Sequence, residues 1–412
     1  ELQLLTWLMP KTGSDIAQSL YNQARQNGGV WDRWTHESGG VHVMTGDPSG
    51  PALADIVAFG GRDFDLHGAY ASLKRAATVP TAGDLTDPNC NDGNIGCVGQ
   101  RPSLDLWMKL HYIPTKSRAW GGAGETLEDA TADFALSQLA AEVGDREGHT
   151  LFLARSGYWS NLFNPHATPE GGYIQNRNAD GAWPAFTPDT ETGFVEGTAS
   201  QYLWMVPFNE HGLFDLLGGT TPAAVRLDRF FHHRNGTWAL TNAGPLHSEM
   251  NNEPSLEVPW LYDYAGQPWK TQETVHAIMA RLWRDTPDGI PGEDDLGEMS
   301  SWYVWAALGL YPVVPGRAEL LIGSPLFPHV VVHRPGGDVT INAPGANCST
   351  SFVHALTIDG RRWDKPWLPA TFAGHGGTLD FKLGARPDKK WGSGSDDAPP
   401  SFPPPDGEAA RK

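Results

Sequence analysis

The chain has 412 residues, 40% of them apolar, enough for two or three average domains or for one large helical barrel with a smaller module. Its 30 basic and 48 acidic side chains give a formal charge of −18, which argues against a nucleic-acid partner, since meeting phosphate takes a basic face, and against an anionic membrane surface. No run of 18 apolar residues occurs, so no membrane-spanning helix is expected. The opening Glu1-Leu-Gln-Leu-Leu-Thr-Trp lacks the basic start and cleavage site of a signal peptide, so a mature, processed or partial chain is expected.

Up to about residue 315 the texture is helical. Helix candidates lie near 11–27, 51–59, 66–77, 126–143, 145–157, 200–218, 270–284 and 298–310. In 126–143, TLEDATADFALSQLAAEV, Thr126 with Asp129 resembles a capping box, and Ala132, Ala135, Leu136, Leu139 and Val143 form an apolar stripe. Between the candidates run long segments, 78–125, 158–195 and 232–268, rich in Gly, Pro, Asn and Trp. Connections that long in a compact protein usually carry function. Helices joined alternately by short and long loops suit a barrel of helical hairpins with the long loops at one mouth.

Three cysteines are too few for a disulfide framework. Cys90 and Cys97, in DPNCNDGNIGCVG, are expected to form a local disulfide and so to mark an oxidising compartment; the rival readings are free thiols or half a metal site. Cys348 reads as an inert core residue. After Pro315 the pattern turns to strands: LLIG, HVVVH, DVTIN, SFVHALTIDG and TLDFKL. These make a thin sheet that calls for a partner surface. Residues 386–412 read as an irregular tail. The expected organisation is therefore a helical segment 1–315, a β-rich segment 316–385 and the tail.

Three polar clusters carry the chemistry. In GFVEGTASQYLW, Glu196 sits at a loop-to-helix junction between Val195 and Gly197. Walled by Phe194, Tyr202 and Trp204, its carboxyl would be desolvated and suited to a general acid; a Glu at a helix N-terminus is the plainer alternative. NNEPS supplies Asn251, Asn252 and Glu253 on a turn before Pro254, hard oxygen donors of the kind calcium prefers, or else a polar helix cap. In PGEDDLGEMSSW, Glu293, Asp294 and Asp295 crowd like charges into a Gly-rich loop, which suits a catalytic base or a bound cation, or a helix N-terminus. Seventeen tryptophans, several in the long loops (Trp31, Trp34, Trp120, Trp159, Trp183, Trp260, Trp269), offer flat faces for sugar rings, although each singly is more often a core residue.

The chain resembles glycoside hydrolase family 92, the calcium-dependent exo-acting α-mannosidases. The resemblance rests on HVMTGDPS (42–49), TLEDATADFALSQLA (126–140), YWSNLFNP (158–165), GFVEG (193–197), NNEPS (251–255), YDYAGQPWKTQ (262–272), PDGIPGEDDLGEMSSWYVWAALGLYPV (287–313), IGSPLF (322–327) and WGSGSDDAPPSF (391–402). It implies a mainly α fold: an (α/α)6 helical-hairpin barrel, incomplete at its N-terminus here, followed by the C-terminal β-rich segment and accompanied by an N-terminal β-sandwich polypeptide. By the same resemblance Glu196 is the general acid and Asp295 the general base, with Glu293 supporting. Asn252 and Glu253 bind Ca2+, and Asp47 and Asp55 hold the sugar's hydroxyls; of the loop tryptophans, Trp31 and Trp269 are the ones expected to contact the sugar. The chain departs from the family pattern at Leu256-Glu257, where two histidines are frequent, and at Glu293, where Asp or Asn is usual; both bear on leaving-group preference.

The implied reaction is a single displacement with inversion on a mannose-containing oligosaccharide (a mannan or an N-glycan) by a secreted or periplasmic protein. That scheme needs carboxyl groups roughly 6.5–9.5 Å apart. A mannosyl-phosphodiester hydrolase needs little acid assistance and a non-catalytic mannose-binding relative needs neither carboxylate, so retention of Glu196 and Asp295 favours ordinary mannosides.

Overall fold

The structure, a computed structural model, describes residues 1–36, 39–41, 44–86, 99–347 and 350–403, with backbone alone at 34–36 and 39–41. Cys90, Cys97 and Cys348 lie outside the described residues, and the expected disulfide with them. Packing groups the chain into two compact units, Lys11–Phe208 with Phe402–Lys412, and Glu1–Pro10 with Asn209–Ser401. The change of texture near residue 315 falls inside the second of these.

The first unit is built on the helix Gly122–Val143, buried along most of its length and packed against Ser49–Ala58, Leu66–Ala76 and Arg146–Ser156. Most of its apolar stripe behaves as the spacing predicts: Ala132, Ala135, Leu136 and Leu139 are in the core, while Val143 at the helix end is half-buried. Its start does not. The helix begins four residues before Thr126, whose hydroxyl lies inside it and donates to Gly122 O at 2.7 Å. Two glycines permit this early start by close approach. A Cβ on Gly122 would stand 2.7 Å from Pro114 O, and one on Gly121 would stand 2.9 Å from Gly193 O. The chain then reverses at Gly144, whose φ of 80° is left-handed, and Asp145 caps the next helix by accepting from Gly148 N at 2.9 Å. The capping box of this unit is instead Thr198 with Gln201, at the head of Ala199–Tyr202.

The expected helix 200–218 is two helices, Ala199–Tyr202 and Glu210–Leu216. Pro207 cannot continue a helical ladder, and the Asn209 side chain caps the second helix by accepting from Gly212 N at 3.3 Å. The long segment 158–195 holds a hairpin of Phe163–Thr168 with Gly171–Ile174.

The second unit contains Leu2–Leu8, Glu210–Leu216, Thr220–Phe231, Pro268–Leu282, Glu298–Leu308 and the C-terminal strands. Of the five expected strands, four join Arg361–Trp363 in one sheet. Its order is Arg361–Trp363, Phe352–Ile358, Gly377–Gly384, Val339–Asn342, His329–Val332, antiparallel except between the third and fourth. Val339, Ile341, Val353, Leu356, Leu379 and Phe381 bury one face of it, and residues between them point outward, the period-2 pattern of a one-sided sheet. The fifth, Leu320–Ile322, pairs instead with Leu310–Tyr311 and Trp367–Leu368. The first helix is tied to this region by Trp7, whose Nε1 donates to Ala373 O at 2.9 Å beneath the Arg334 guanidinium. Residues 385–403 carry neither helix nor strand, yet Trp391 is buried and donates to Trp363 O at 3.2 Å.

Candidate active site

Of the residues singled out by sequence, Glu196, Asp47, Asp55 and Trp31 belong to the first unit, and Asn252, Glu253, Glu293, Asp295 and Trp269 to the second. In the first unit Glu196 is exposed, with the left-handed φ of 53° that only a few non-glycine residues of the chain share. Phe194, Tyr202 and Trp204, the aromatics expected to wall its carboxyl, are all buried, and Tyr202 holds the turn's backbone. Tyr202 Oη donates to Val195 O at 2.6 Å, and a Cβ at Gly197 would meet the Tyr202 ring at 2.9 Å. Strain of this kind costs about 1–3 kcal/mol and persists where the surroundings over-determine the conformation. Here packing on both sides of Glu196 does so and aims its side chain outward.

Asp47 is only 2% exposed and is fully engaged: Gln100 Nε2 donates to it at 3.0 Å and Arg101 Nε at 2.8 Å. It belongs to a buried ionic network rather than to an open surface. Arg101, with no exposure, also donates to Asp133 at 2.7 Å, and Arg155 reaches the other Asp133 oxygen at 2.7 Å. Arg33 lies 3.9 Å from Glu125, which accepts Gly46 N at 2.8 Å and the Thr45 hydroxyl. Four acids (Asp47, Glu125, Asp129, Asp133) thus face three arginines. Burial, opposed by the pull of Arg101 and reinforced by Glu125, Asp133 and Asp47, holds the Asp129 carboxyl well above the usual carboxylate range. The network pins the loop 44–48 that precedes helix Ser49–Ala58, in which Asp55 sits half-buried. Trp31 is 3% exposed, stacked on Tyr21 with its Nε1 donating to Ser72 Oγ at 3.1 Å.

In the second unit the two acidic motifs meet. Asn252 caps a short 3-10 turn, Glu253–Ser255, by accepting Glu253 N at 3.1 Å, so Pro254 sits at the helix start as its spacing predicts. Against this turn lies the loop 287–297. Gly292 (φ 66°) is backed onto Asn251, and the Glu253 and Asp295 side chains share a hydrogen bond. Trp302 Nε1, donating to Leu256 O at 2.8 Å, locks helix Glu298–Leu308 to the same turn. Asp295, Leu296 and Gly297 are three consecutive left-handed residues, with φ of 48°, 63° and 96°. The middle acid of the run is the structural one: Asp294 accepts Ser300 N at 2.9 Å and Ser300 Oγ at 3.0 Å. That leaves Glu293 and Asp295 exposed on either side of it. Trp269 is half-buried at the start of Pro268–Leu282, with Lys389 5.8 Å above its ring.

The acidic cluster extends further than its motifs. Glu253 is pushed up to about 8, first by loss of solvation around its carboxyl, although the residue as a whole is exposed, and then by Asp295 and Glu298. Glu257 is pushed up to about 8 by burial, with Glu298 and Glu253 adding to it, and burial likewise raises Glu210, helped by Glu257. Glu298 stands in the second motif and Glu257 just after the first, where the chain departs from the family pattern, whereas nothing in the local sequence singles out Glu210. Among the described residues no three His, Cys, Asp or Glu side chains converge as a self-sufficient metal site. The donors present nonetheless suit a hard cation held with positions to spare. Asn252 and Glu253 offer amide and carboxylate oxygens, and a divalent ion would offset the mutual repulsion of the carboxyls crowded around them.

Gly292 makes the coupling between the two motifs testable. An alanine Cβ there would lie 2.6 Å from Asn251 Cβ, on a backbone that disfavours it. Gly292→Ala is expected to cost about 1–3 kcal/mol of stability and to displace the NNEPS turn. Thermal melting and activity of the variant check this; unchanged values in both would show that the two loops do not depend on each other.

Comparison with known proteins shows the family of the chain. Residues 1–385 match the model of the glycosyl hydrolase family 92 catalytic domain. A family 92 α-mannosidase of Bacteroides thetaiotaomicron is similar with a TM-score of 0.84 and 26% identity, over 97% of this chain and 50% of that one. A family 92 inverting mannosidase of the same organism matches with a TM-score of 0.82 and 26% identity, over 97% and 54%. An uncharacterised secreted glycosidase of Arthroderma benhamiae is 29% identical over 337 residues, 74% of this chain and 42% of its own length. The chain thus spans about half the length of these relatives. With its helical region, its C-terminal strands and the motifs gathered in each unit, the chain belongs to glycosyl hydrolase family 92.

Proposed function

We propose that this chain carries the catalytic machinery of an exo-acting, inverting, calcium-dependent α-mannosidase that removes non-reducing terminal α-mannosyl residues from mannans or N-glycans. The observation that carries the reading is that Glu196 and Asp295, in different motifs, are two of the three exposed carboxylates at left-handed φ among the described residues (53° and 48°). The third, Asp359, lies in the tight turn between two strands. The solved inverting mannosidase supports the stereochemistry, and a solved mannosidase complex with mannoimidazole (25% identity, TM-score 0.85, 98% of this chain and 52% of that one) supports the substrate class. The reading includes an (α/α)6 barrel over 1–315, a β-rich segment over 316–385, a tail over 386–412 and an accompanying N-terminal β-sandwich polypeptide. The secreted relative supports a secreted or periplasmic location.

In this scheme Glu196 protonates the departing glycosidic oxygen and Asp295, supported by Glu293, takes a proton from the attacking water. Asn252 and Glu253 hold calcium, which when bound supplies a grip on the vicinal O2 and O3 of mannose. Asp55, Trp269 and the loop held by Asp47 and Trp31 form the sugar-holding part of the proposal.

Two measurements test it. Proton NMR of α-mannobiose hydrolysis is expected to show β-mannose as the first-formed product; first-formed α-mannose would rule out single displacement. Exhaustive chelation is expected to abolish activity, with calcium restoring it better than zinc, because the donors are hard oxygens. Full activity in protein shown by elemental analysis to be metal-free would remove calcium from the scheme.

A further inference from the structure

We infer that the loop Thr115–Arg118 forms a binding site for a tetrahedral oxyanion, a phosphate or sulfate group. Leu106, Thr115, Lys116, Ser117 and Arg118 line a cleft of about 510 Å³ in the first unit. Its polar groups are donors with little to donate to. Among the described residues, the Lys116 ammonium, the Ser117 hydroxyl and the backbone amides of Lys116 and Ser117 have no protein partner. Arg118 is anchored by two of its nitrogens: Nε donates to Asp84 O at 2.8 Å and Nη2 pairs with Asp105, leaving Nη1 free. Thr115 is spent on structure, its hydroxyl donating to Asn178 Oδ1 at 2.6 Å and its amide to Arg177 O at 2.9 Å.

Among the described residues, Asp105 is the one carboxylate paired with a group of this loop, and it pairs with Arg118. An ammonium, one guanidinium nitrogen, a hydroxyl and two consecutive amides match the several acceptor oxygens of a phosphate or sulfate. In a chain of formal charge −18 such a concentration of uncommitted donors is at odds with its surroundings.

The location suggests what would bear the anion. Three residues after Arg118, Gly121 packs against Gly193 O and Val195 Cγ2, in the turn that carries Glu196. Chain geometry therefore puts the cleft within roughly 25 Å of Glu196, the reach of an oligosaccharide. A phosphate or sulfate ester on a mannan would be held there while a terminal mannosyl group meets Glu196; free inorganic anion is the other source of the same chemistry. The glycan source rests on the proposed function, whereas the oxyanion site itself does not.

The test separates them. Inorganic phosphate titrated into the native protein, followed by calorimetry, is expected to bind with a dissociation constant in the millimolar range or tighter, and Lys116→Ala or Ser117→Ala to weaken it at least fivefold with melting unchanged. In parallel, kcat/KM is compared for α-mannobiose and for the same disaccharide carrying a phosphate monoester on its reducing sugar. A preference of about tenfold for the phosphorylated substrate, lost through KM in Lys116→Ala, identifies the glycan ester. Phosphate binding without such a preference identifies the free anion. No phosphate binding by the native protein, or binding undiminished in both variants, overturns the site, whatever the protein's activity on mannosides.

Discussion

Replacing Arg101 by Met is expected to destabilise the protein more than any other single change in the first unit. Arg101 is fully buried and bridges two carboxylates, Asp47 at 2.8 Å and Asp133 at 2.7 Å, with Asp129 at 3.8 Å. Removing it leaves ionised groups without a counter-charge or a route to water, which costs about 3–5 kcal/mol. For a unit of this size that corresponds to a fall in melting temperature of roughly 10 °C or to insoluble protein. Arg101→Lys should fall in between, since one ammonium cannot serve two carboxylates in the geometry of a guanidinium fork. Adding Asp47→Asn to Arg101→Met should recover part of the loss, because Arg101 is the only cation paired with Asp47 among the described residues, whereas Asp133 keeps Arg155. A melting temperature of Arg101→Met within 2 °C of the native protein would show that the network is not what holds the loop 44–48.

That network also shows where the sequence was legible and where it was not. Glu125, Asp129 and Asp133 recur every fourth residue in ETLEDATAD, and an acidic ridge on an alanine-rich helix is visible by counting. What could not be counted is the face that the ridge meets, because Arg33, Arg101 and Arg155 come from three distant segments. Asp47 shows the consequence: its position beside a Gly-Asp-Pro turn suits an exposed ligand, and only the packing of Gln100 and Arg101 makes it a buried anchor. The start of the central helix was obscured for a related reason. Gly121 and Gly122 read as loop by propensity, yet their missing side chains are what let the helix run close to Pro114 and Gly193. By contrast, the joining of NNEPS with GEDDLGE could be anticipated from chemistry, since an amide-carboxylate turn and an acidic loop have reason to meet around a cation or a reaction. The backbone strain at Glu196 and Asp295 left no sequence signal, because neither residue type favours left-handed φ as glycine does.

Glu196→Gln and Asp295→Asn are expected to differ by leaving group. Both substitutions keep the shape of the residue, and Asn tolerates the left-handed φ of position 295, so loss of activity should not come from unfolding, which melting curves check. A general acid contributes about 10²–10⁴-fold where the departing oxygen needs a proton. Glu196→Gln should therefore lower kcat/KM by that amount on α-mannobiose, whose leaving group is a sugar alkoxide. On an aryl mannoside or a mannosyl phosphate, whose leaving groups depart as stable anions, it should lose much less. Asp295→Asn should lose activity on all three substrates alike, because each still needs an activated water. Glu293, supporting the base, should follow the Asp295 pattern with a smaller loss when changed to Gln. Equal losses for Glu196→Gln across good and poor leaving groups would remove it as the acid. A substrate-dependent loss for Asp295→Asn would instead place that carboxylate on the leaving-group side of the sugar and reverse the two roles.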